Sequence, residues 1–229
     1  MIEKNYSIAI DGPSGAGKST LAKAVAAEMG IVYVDTGAIY RTIGYYVWKN
    51  NIDPKDAEAV AAALPNIKVD MCYGDDGLQH MMLCGEDVTD QIRLPQISMY
   101  ASDVSAIPAV RDFLLDMQRD MAKRYNVIMD GRDIGTVVLP DADVKIFLTA
   151  PAEVRARRRM KELVQRGTPC TFEEVLRDIE KRDWADSHRA TAPLRQADDA
   201  VPVDNGKTDF EESKQLLLRV IKEALAVEK

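Results

Sequence analysis

The segment GPSGAGKST constrains this chain more than any other, because a strand-like run, SIAID, precedes it and a helical pattern, STLAKAVAAEM, follows it. This order is typical of the phosphate-binding loop GxxxxGK[ST] between a strand and a helix. Gly12, Gly15 and Gly17 allow the backbone to turn sharply and to come close to an anion. The loop amides and the positive end of the helix then face phosphate oxygens. The segment therefore predicts a phosphate site.

Two side chains at the end of this segment extend the prediction to a nucleotide and its metal. We expect Lys18 to reach the β- and γ-phosphates and Ser19 to offer its hydroxyl to Mg²⁺. A glycine-rich surface turn could match the pattern by chance, but the order of strand, loop and helix favours the phosphate site. The residues predicted to hold the phosphates of ATP are Gly12, Pro13, Ser14, Gly15, Ala16, Gly17, Lys18, Ser19 and Thr20.

Length and composition narrow the class of protein. With 229 residues, 46% of them hydrophobic, the chain can bury one substantial core, and we expect a single domain over residues 1–229. A formal net charge of -7 argues against broad binding of nucleic acid. No apolar run approaches the length of a membrane span or a signal peptide. The chain has 3 cysteines without paired spacing, which give little support to disulfides or a zinc site. We therefore expect a cytoplasmic protein with neither nucleic acid nor membrane as a partner.

Five short apolar runs alternate with helical patterns along the chain: YSIAID, IVYVD, VIMD, VKIFLTA and AVPVD. Such alternation indicates an α/β fold in which helices flank a five-stranded parallel sheet. Pro202 lies within the last run and has no N–H to donate to a central ladder. The last strand is therefore expected at an edge of the sheet.

A segment of different character separates the second and third runs. It reads IKVDMCY, GDDG and LQHMMLC, which is typical of an antiparallel hairpin with its turn at Asp76 and Gly77. We interpret residues 66–98 as an insertion into the α/β pattern. Two roles for it stay equally open: it pads the fold, or it covers a substrate.

Polar side chains follow the second and third strands at the carboxyl edge of the predicted sheet, where open α/β sheets bind ligands. These residues are Thr36, Tyr40, Arg41, Asp130, Arg132 and Asp133. An acid at the tip of an apolar strand beside a phosphate loop is typical of a Mg²⁺ site, so Asp130 is a candidate metal ligand. A helix cap or an arginine partner would place an acid there equally well.

The run VRARRRMKELVQRG concentrates positive charge in an otherwise acidic chain. A solvated helical face is one explanation. We favour a mobile helical lid over about residues 153–170, in which Arg155, Arg157 and Arg158 stabilise charge on a transferring phosphoryl group.

A further helix is predicted to begin near Phe172, because the run TFEE has the spacing of a capping box. On this helix Arg182, Asp186 and Arg189 share one face. A row of surface ion pairs would give the same spacing. Because the row ends near Pro193, we favour a helix end that faces a ligand.

Histidine is scarce, with 2 in the chain, so the usual general base is largely missing. A hydroxyl acceptor needs a group to take its proton, whereas a phosphate monoester, with a second pKa of about 6, is already largely ionised at neutral pH. Many arginines without an obvious base therefore favour a phosphate acceptor. The alternative is that Asp35 or Asp133 serves as base, as in kinases that phosphorylate sugars.

Several motifs span nearly the whole chain in a fixed order: DGPSGAGKST, DTGAIYR, GEDVT, DGRDIGTVV, RRRM and RDWADSHRATAPL. In this combination the chain resembles the bacterial cytidylate kinases. The resemblance implies a P-loop kinase fold with a five-stranded parallel sheet, a closing lid and an acceptor-binding flap that carries a small antiparallel β insert. It also implies transfer of the γ-phosphoryl group of Mg·ATP to CMP or dCMP, giving ADP and CDP or dCDP.

The resemblance implies a role for each residue on the acceptor side. Arg41, Arg132 and Arg189 would hold the acceptor phosphate, Ser102, Arg111 and Asp133 would read the cytosine, and Arg182 with Asp186 would hold the sugar. A carboxylate can accept a hydrogen bond from the N4 amino group of cytosine, whereas uracil presents an oxygen there. Discrimination against UMP is therefore expected.

Two other classes of protein stay open at this point. One is a P-loop kinase for another nucleotide or a small metabolite, and the other is a GTP-dependent switch. Switches read guanine with an NKxD run, for which the chain has only the imperfect NGKTD. The expected form is a monomer that acts on small nucleotides.

Overall fold

The computed structural model describes residues 5–74, 77, 79–165 and 167–227. The predicted turn residue Asp76 and position 166 of the predicted lid lie outside the described residues. Contacts between Cα atoms divide the chain into two compact units, Met1–Tyr33 with Arg124–Lys229, and Val34–Lys123. We call them the first and the second unit. The single domain over 1–229 stays a prediction.

Strands and helices alternate along the described chain as the sequence predicts. The strands are β1 (Ser7–Asp11), β2 (Val32–Asp35), β3 (Val69–Tyr73), β4 (Gln79–Leu83), β5 (Glu86–Asp87), β6 (Val127–Gly131), β7 (Val144–Thr149) and β8 (Val201–Asp204). The helices are α1 (Lys18–Met29), α2 (Thr36–Lys49), α3 (Ala57–Ala63), α4 (Pro95–Val104), α5 (Pro108–Arg124), α6 (Ala152–Gln165), α7 (Phe172–His188) and α8 (Phe210–Val227). Short helical turns cover Leu64–Asn66, Gln91–Arg93 and, as a π-turn, Ile134–Val138.

The larger sheet has the strand order β2-β6-β1-β7-β8. Strand β1 runs parallel to β6 and β7, and β7 runs parallel to β8. Pro202 lies in β8 at the edge, as expected of a residue that cannot donate to a central ladder. The prediction of a five-stranded parallel sheet flanked by helices is confirmed.

The core of the first unit forms where helices cover this sheet. Ile8 and Ile10 of β1 are fully buried, because parallel strands are covered on both faces. Leu21 and Val25 of α1 and Leu217 of α8 belong to the same buried cluster. Burial of such a side chain stabilises the fold by about 1.5–3 kcal/mol. The core therefore holds the end of β1, and with it the start of the phosphate loop, in a rigid frame.

Local signals in the sequence set the bounds of two helices in the first unit. Helix α1 ends at Gly30, which takes the left-handed conformation at φ 66° and donates its N–H to Ala26 O. Helix α7 begins with the predicted capping box, in which Glu174 N donates to Thr171 Oγ1 over 3.2 Å and Thr171 N donates to Glu174 Oε2 over 2.9 Å. Both predicted helix ends are confirmed.

The second unit contains the predicted hairpin as part of a three-stranded antiparallel sheet, β3-β4-β5. The short strand β5 was not predicted, because its turn uses Cys84 and Gly85 at positive φ rather than an Asn-Gly or Asp-Gly pair. In the same unit, Gly44 of α2 lets α4 come close, since a Cβ there would lie 2.8 Å from Ala101 N. Residues 95–98 of the predicted insert already belong to α4.

Two general features complete the fold. Within the described ranges, none of the helices is both long and apolar enough to cross a membrane. Cys72, Cys84 and Cys170 carry free thiols.

Candidate active site

The phosphate loop joins β1 to α1 with glycine at each sharp turn. Gly12, Gly15 and Gly17 have φ values of 151°, 75° and 86°. At Gly12 the close approach of β7 also excludes a side chain, because an added Cβ would overlap the carbonyl oxygen of Leu148. The loop therefore has the geometry that the sequence predicts for a backbone that binds an anion.

Lys18 is buried at the start of α1 and binds the loop itself. Its Nζ donates to Pro13 O over 2.8 Å, and the residue is 5% exposed. Burial, followed by the nearby charge of Arg132, lowers the pKa of Lys18 to about 7. An anion bound beside this ammonium group would offset the loss of hydration, so the site favours a negatively charged ligand.

A hydroxyl and a carboxylate meet beside the loop. Ser19 Oγ donates to Asp130 Oδ2 over 2.8 Å, and Tyr33 OH donates to Asp130 Oδ1 over 2.8 Å. Asp130 lies on β6 next to β1, which explains how residues 111 positions apart come together. These oxygen groups are of the kind that Mg²⁺ prefers, so the two predicted metal residues fit that ion. Their metal binding stays a prediction.

Three arginines act electrostatically on one buried carboxylate on α7, and one of them contacts it. Arg132 Nε donates to Asp186 Oδ2 over 2.7 Å. Burial opposes the ionisation of Asp186, but Arg132, Arg182 and Arg189 together lower its pKa below the ordinary value. A row of surface ion pairs does not describe this face of α7, because Asp186 is buried. The structure thus brings these four predicted substrate-binding residues together.

A second ion pair joins the same two elements further along. Arg189 Nη2 donates to Asp133 Oδ1 over 3.1 Å, and both side chains are buried. Arg189 Nε also donates to Ala192 O over 2.6 Å. The two ion pairs fasten the end of α7 to the segment after β6. Arg132 and Arg189, which are predicted to bind phosphate, and Asp133, which is predicted to read the base, are therefore held together in the first unit.

The three predicted lid arginines on α6 have different surroundings. Arg155 is buried and donates to Ser14 O over 2.8 Å and to Asp183 Oδ2 over 2.6 Å. Arg158 Nη1 donates to Asn205 Oδ1 over 3.1 Å. Arg157 is exposed, with its guanidinium 5.3 Å from the centre of the Phe172 ring. Their contact with a transferring phosphoryl group stays a prediction.

In the second unit, Arg41 and the start of α2 are organised by an acid. Asp35 caps α2 by accepting from Ala38 N over 2.8 Å, and its other oxygen accepts from Arg41 Nη2 over 2.8 Å. Gln79 of the β insert accepts from Asp35 N over 2.8 Å. The insert therefore supports the segment that carries Thr36 and Arg41. This contact favours a role of the insert in holding that segment over simple padding.

Two further predicted residues of the second unit, Tyr40 and Ser102, lie near Arg111. Its guanidinium lies 5.5 Å from the centre of the Tyr40 ring and donates to Ser105 O over 3.1 Å. Ser105 Oγ in turn donates to Ser102 O over 2.8 Å. Thr36 is buried in the first turn of α2. Tyr40, Ser102 and Arg111 thus form one connected neighbourhood.

Comparison with known families adds to this geometry. A family model described as Cytidylate kinase matches residues 8–223, nearly the whole chain. The chain belongs to the cytidylate kinase family. Membership confirms the resemblance inferred from the motifs and the prediction that the chain is a kinase.

Individual relatives support the same assignment to the cytidylate kinases. The cytidylate kinase of Caldicellulosiruptor bescii is 50% identical over 217 residues, which cover 95% of this chain and 96% of that protein. The cytidylate kinase of Clostridium botulinum strain Langeland is 44% identical over 218 residues, with 95% and 98% covered. A crystal structure of an uncharacterised protein from Eubacterium ventriosum covers 96% of this chain and 99% of its own, with a TM-score of 0.55 at 14% identity, and shows likeness of fold alone.

Two buried residues of this cytidylate kinase site were missing from the sequence predictions. Asp11 accepts from Ile134 N over 2.8 Å and from Gly135 N over 2.7 Å, and its burial raises its pKa to about 6. Asn205 donates from Nδ2 to Ala16 O over 2.9 Å. A polar residue at the end of each apolar strand, in SIAID and VPVDN, was the available signal. Their partners lie too far along the chain to be read from spacing.

Proposed function

We propose that this chain transfers the γ-phosphoryl group of Mg·ATP to CMP or dCMP, giving ADP and CDP or dCDP. The observation that carries the proposal is that one compact unit holds both a phosphate loop with a buried lysine and a buried carboxylate whose pKa three arginines lower. Phosphoryl transfer between nucleotides needs cationic groups for both phosphate chains. Membership of the cytidylate kinase family supports the same reaction.

The donor side would use the phosphate loop, residues 12–20. Lys18 would exchange its bond to Pro13 O for oxygens of the β- and γ-phosphates, with which its positive charge interacts more strongly. Mg²⁺ neutralises charge on these phosphates and orients them. Ser19 and Asp130 would hold the ion, directly or through water, and Tyr33 fixes the carboxylate for that role.

The acceptor side would use arginines that are already oriented by acids. Arg132 and Arg189 in the first unit, and Arg41 in the second, would bind the acceptor phosphate. Each makes an ion pair at 3.1 Å or less, which fixes its guanidinium before a ligand arrives. Such preorganisation lowers the entropy lost on binding.

The sugar and the base would be recognised by the neighbours of these arginines. Arg182 and Asp186 would bind the sugar hydroxyls. Asp133 in the first unit, and Ser102 and Arg111 in the second, would read the cytosine. Thr36, which is buried at the start of α2, and Tyr40, whose ring lies near Arg111, would complete the substrate-binding residues.

The need for a general base depends on the acceptor being a phosphate. Its oxygens are largely ionised at neutral pH, so no general base is required. Asp35 and Asp133 are instead bound to Arg41 and Arg189.

On closing, the lid with Arg157 and Arg158 would exclude water and thereby limit ATP hydrolysis. We propose a monomeric, cytoplasmic enzyme whose ligands are small nucleotides, with neither nucleic acid nor membrane as a partner.

A panel of acceptors tests the proposed function. With Mg·ATP as donor, ADP formation is measured by a coupled assay for CMP, dCMP, UMP, AMP, GMP and a sugar alcohol. CMP and dCMP are expected to give the largest kcat/KM. Equal rates on all nucleotides, or a preference for the sugar alcohol, would contradict the proposal and favour another P-loop kinase. GTP turnover that does not depend on CMP would indicate a switch.

Replacement of one carboxylate tests how the base is read. Asp133→Asn is expected to lower kcat/KM for CMP by about 10- to 100-fold and to narrow the preference for CMP over UMP, because an amide can donate to the uracil oxygen. Asp178→Asn, which changes an exposed acid on α7, is the control and should leave both values unchanged. An equal loss for every nucleotide acceptor would contradict a role in reading the base and would show that Asp133 acts by holding Arg189, with which it forms an ion pair.

A further inference from the structure

Two buried side chains bind the carbonyl groups of the phosphate loop, and the proposed reaction gives neither bond a role. Arg155 Nη1 donates to Ser14 O over 2.8 Å, and Asn205 Nδ2 donates to Ala16 O over 2.9 Å. Arg155 is 5% exposed and Asn205 is 2% exposed. Both contacts therefore form away from solvent, where a hydrogen bond strongly favours one geometry.

The two carbonyls belong to the peptide groups that precede Gly15 and Gly17. In a trans peptide the C=O and the N–H point in opposite directions. Holding Ser14 O and Ala16 O therefore directs the amides of Gly15 and Gly17 to the other side of the loop. Glycine rotates more freely than any other residue, so these peptides are the ones most in need of such a restraint.

Both anchoring residues are themselves fixed to the end of β7. Arg155 Nε donates to Ala150 O over 2.8 Å, and Asn205 N donates to Thr149 O over 2.9 Å. Strand β7 is the neighbour of β1, from which the loop starts. Through Arg155 and Asn205, the end of β7 thus supports the carbonyl groups of a loop that starts from the neighbouring strand β1.

Each anchor has one more partner that locks its side chain. Arg155 Nη2 donates to Asp183 Oδ2 over 2.6 Å, and Asn205 Oδ1 accepts from Arg158 Nη1 over 3.1 Å. Arg155 therefore uses the rigid fork of its guanidinium to bind three acceptors on three elements. Because these three bonds occupy its guanidinium, the Arg155 side chain is held on the side of the loop where Ser14 O lies.

We propose that Arg155 and Asn205 are positioning residues that turn the amides of Gly15 and Gly17 toward the phosphates of the bound nucleotide. The inference rests on the proposed function only for the identity of that nucleotide. It assigns Arg155 to the back of the phosphate loop. Arg158, which donates to Asn205 in this structure, would have to leave Asn205 to join Arg157 over the reacting group.

The test uses inorganic tripolyphosphate, which has no base or sugar and so reports on the loop alone. Asn205→Asp keeps the size of the side chain and an acceptor for Arg158 but replaces the donor to Ala16 O. Arg155→Lys keeps the charge, but one ammonium group cannot bind three acceptors in the same geometry. For each variant, the calorimetric Kd of tripolyphosphate and the KM of ATP are expected to rise together by about 10- to 100-fold, with the KM of CMP unchanged.

Arg159→Ala is the matched control, because it removes an arginine from the same helix, α6. Among the described residues, Arg159 pairs with the exposed Glu162 and has no contact with the phosphate loop. It should leave both constants unchanged. An unchanged Kd of tripolyphosphate with a lower kcat would overturn the inference and place Arg155 over the reacting group. Equal weakening of ATP and CMP binding would also overturn it, by reducing both residues to supports of the fold.

Two readouts keep this test separate from the proposed function. Tripolyphosphate binding is measured without an acceptor, so it decides the inference even if CMP is not phosphorylated. Failure of the wild-type protein to use CMP would refute the proposed function alone. The two variants alter different elements, and thermal unfolding of each shows whether it folds, so the folded variant decides the result.

Discussion

Lys18→Ala is expected to lower kcat by about 100- to 1,000-fold, because it removes a preorganised charge from the phosphates of the donor. The fold should survive, because burial disfavours the charge that the substitution removes and the lost hydrogen bond, to Pro13 O, lies within the phosphate loop. Turnover is measured with saturating Mg·ATP and CMP, and the fold by circular dichroism.

Lys23→Ala provides the control for this prediction. Lys23 lies on the same helix, α1, carries the same charge and is exposed. Its replacement should leave turnover unchanged. Near wild-type turnover of Lys18→Ala would show that the donor phosphates bind elsewhere.

The titration of Lys18 gives a second measurable difference between the same two proteins. Burial lowers the pKa of Lys18 from 10.5 to about 7 in the folded chain. Between these two pH values the unfolded chain binds a proton that the folded chain does not, so this residue makes the free energy of unfolding rise with pH. Lys18→Ala should lack that rise. Urea unfolding at pH 7 and pH 9 tests the sign, and a parallel pH dependence in both proteins would contradict it.

Gly12→Ala is expected to lower the free energy of unfolding by about 3 kcal/mol or more and to weaken ATP binding, because the added methyl group overlaps a backbone carbonyl. That carbonyl is Leu148 O on β7, which cannot move without disturbing the sheet. The loop would have to shift away from β7, and its amides would leave the positions that bind phosphate. Urea unfolding and the KM of ATP measure the two effects.

Gly30→Ala separates the clash from the cost of the backbone conformation. Gly30 has φ 66°, and an added Cβ would meet no atom within 4 Å. Its replacement should therefore cost only about 1 kcal/mol, the strain of a left-handed conformation, and leave the KM of ATP unchanged. Equal losses of stability for the two variants would show that Leu148 gives way to the methyl group.

Much of the fold could be predicted because its signals are local. The capping box that starts α7 joins residues three positions apart, and the end of α1 depends on Gly30 alone. The hairpin of the insert was predicted from its alternating pattern. Strand β5 was missed because its 2 residues carry little pattern and its turn is not an Asn-Gly or Asp-Gly pair. The phosphate loop was found in full for the same reason, since its strand, turn and helix are contiguous.

The surroundings of the site residues were less accessible to sequence reasoning. The charge run of α6 predicted a lid with three similar arginines, but the structure gives each a different environment. Arg155 contacts Ser14, 141 positions away, and Asp11 contacts Gly135, 124 positions away. No periodicity or spacing encodes contacts of that length.

The sequence by itself determined the strand–loop–helix unit, the order of the elements and the family, because these depend on neighbouring residues and on motifs that keep their order. Only the tertiary structure decided which arginine stands behind the phosphate loop and which carboxylate each one meets. The physical reason is that a guanidinium can bind any acceptor within reach. Its partner therefore depends on how the end of β7, helix α6 and helix α7 come together beside the phosphate loop.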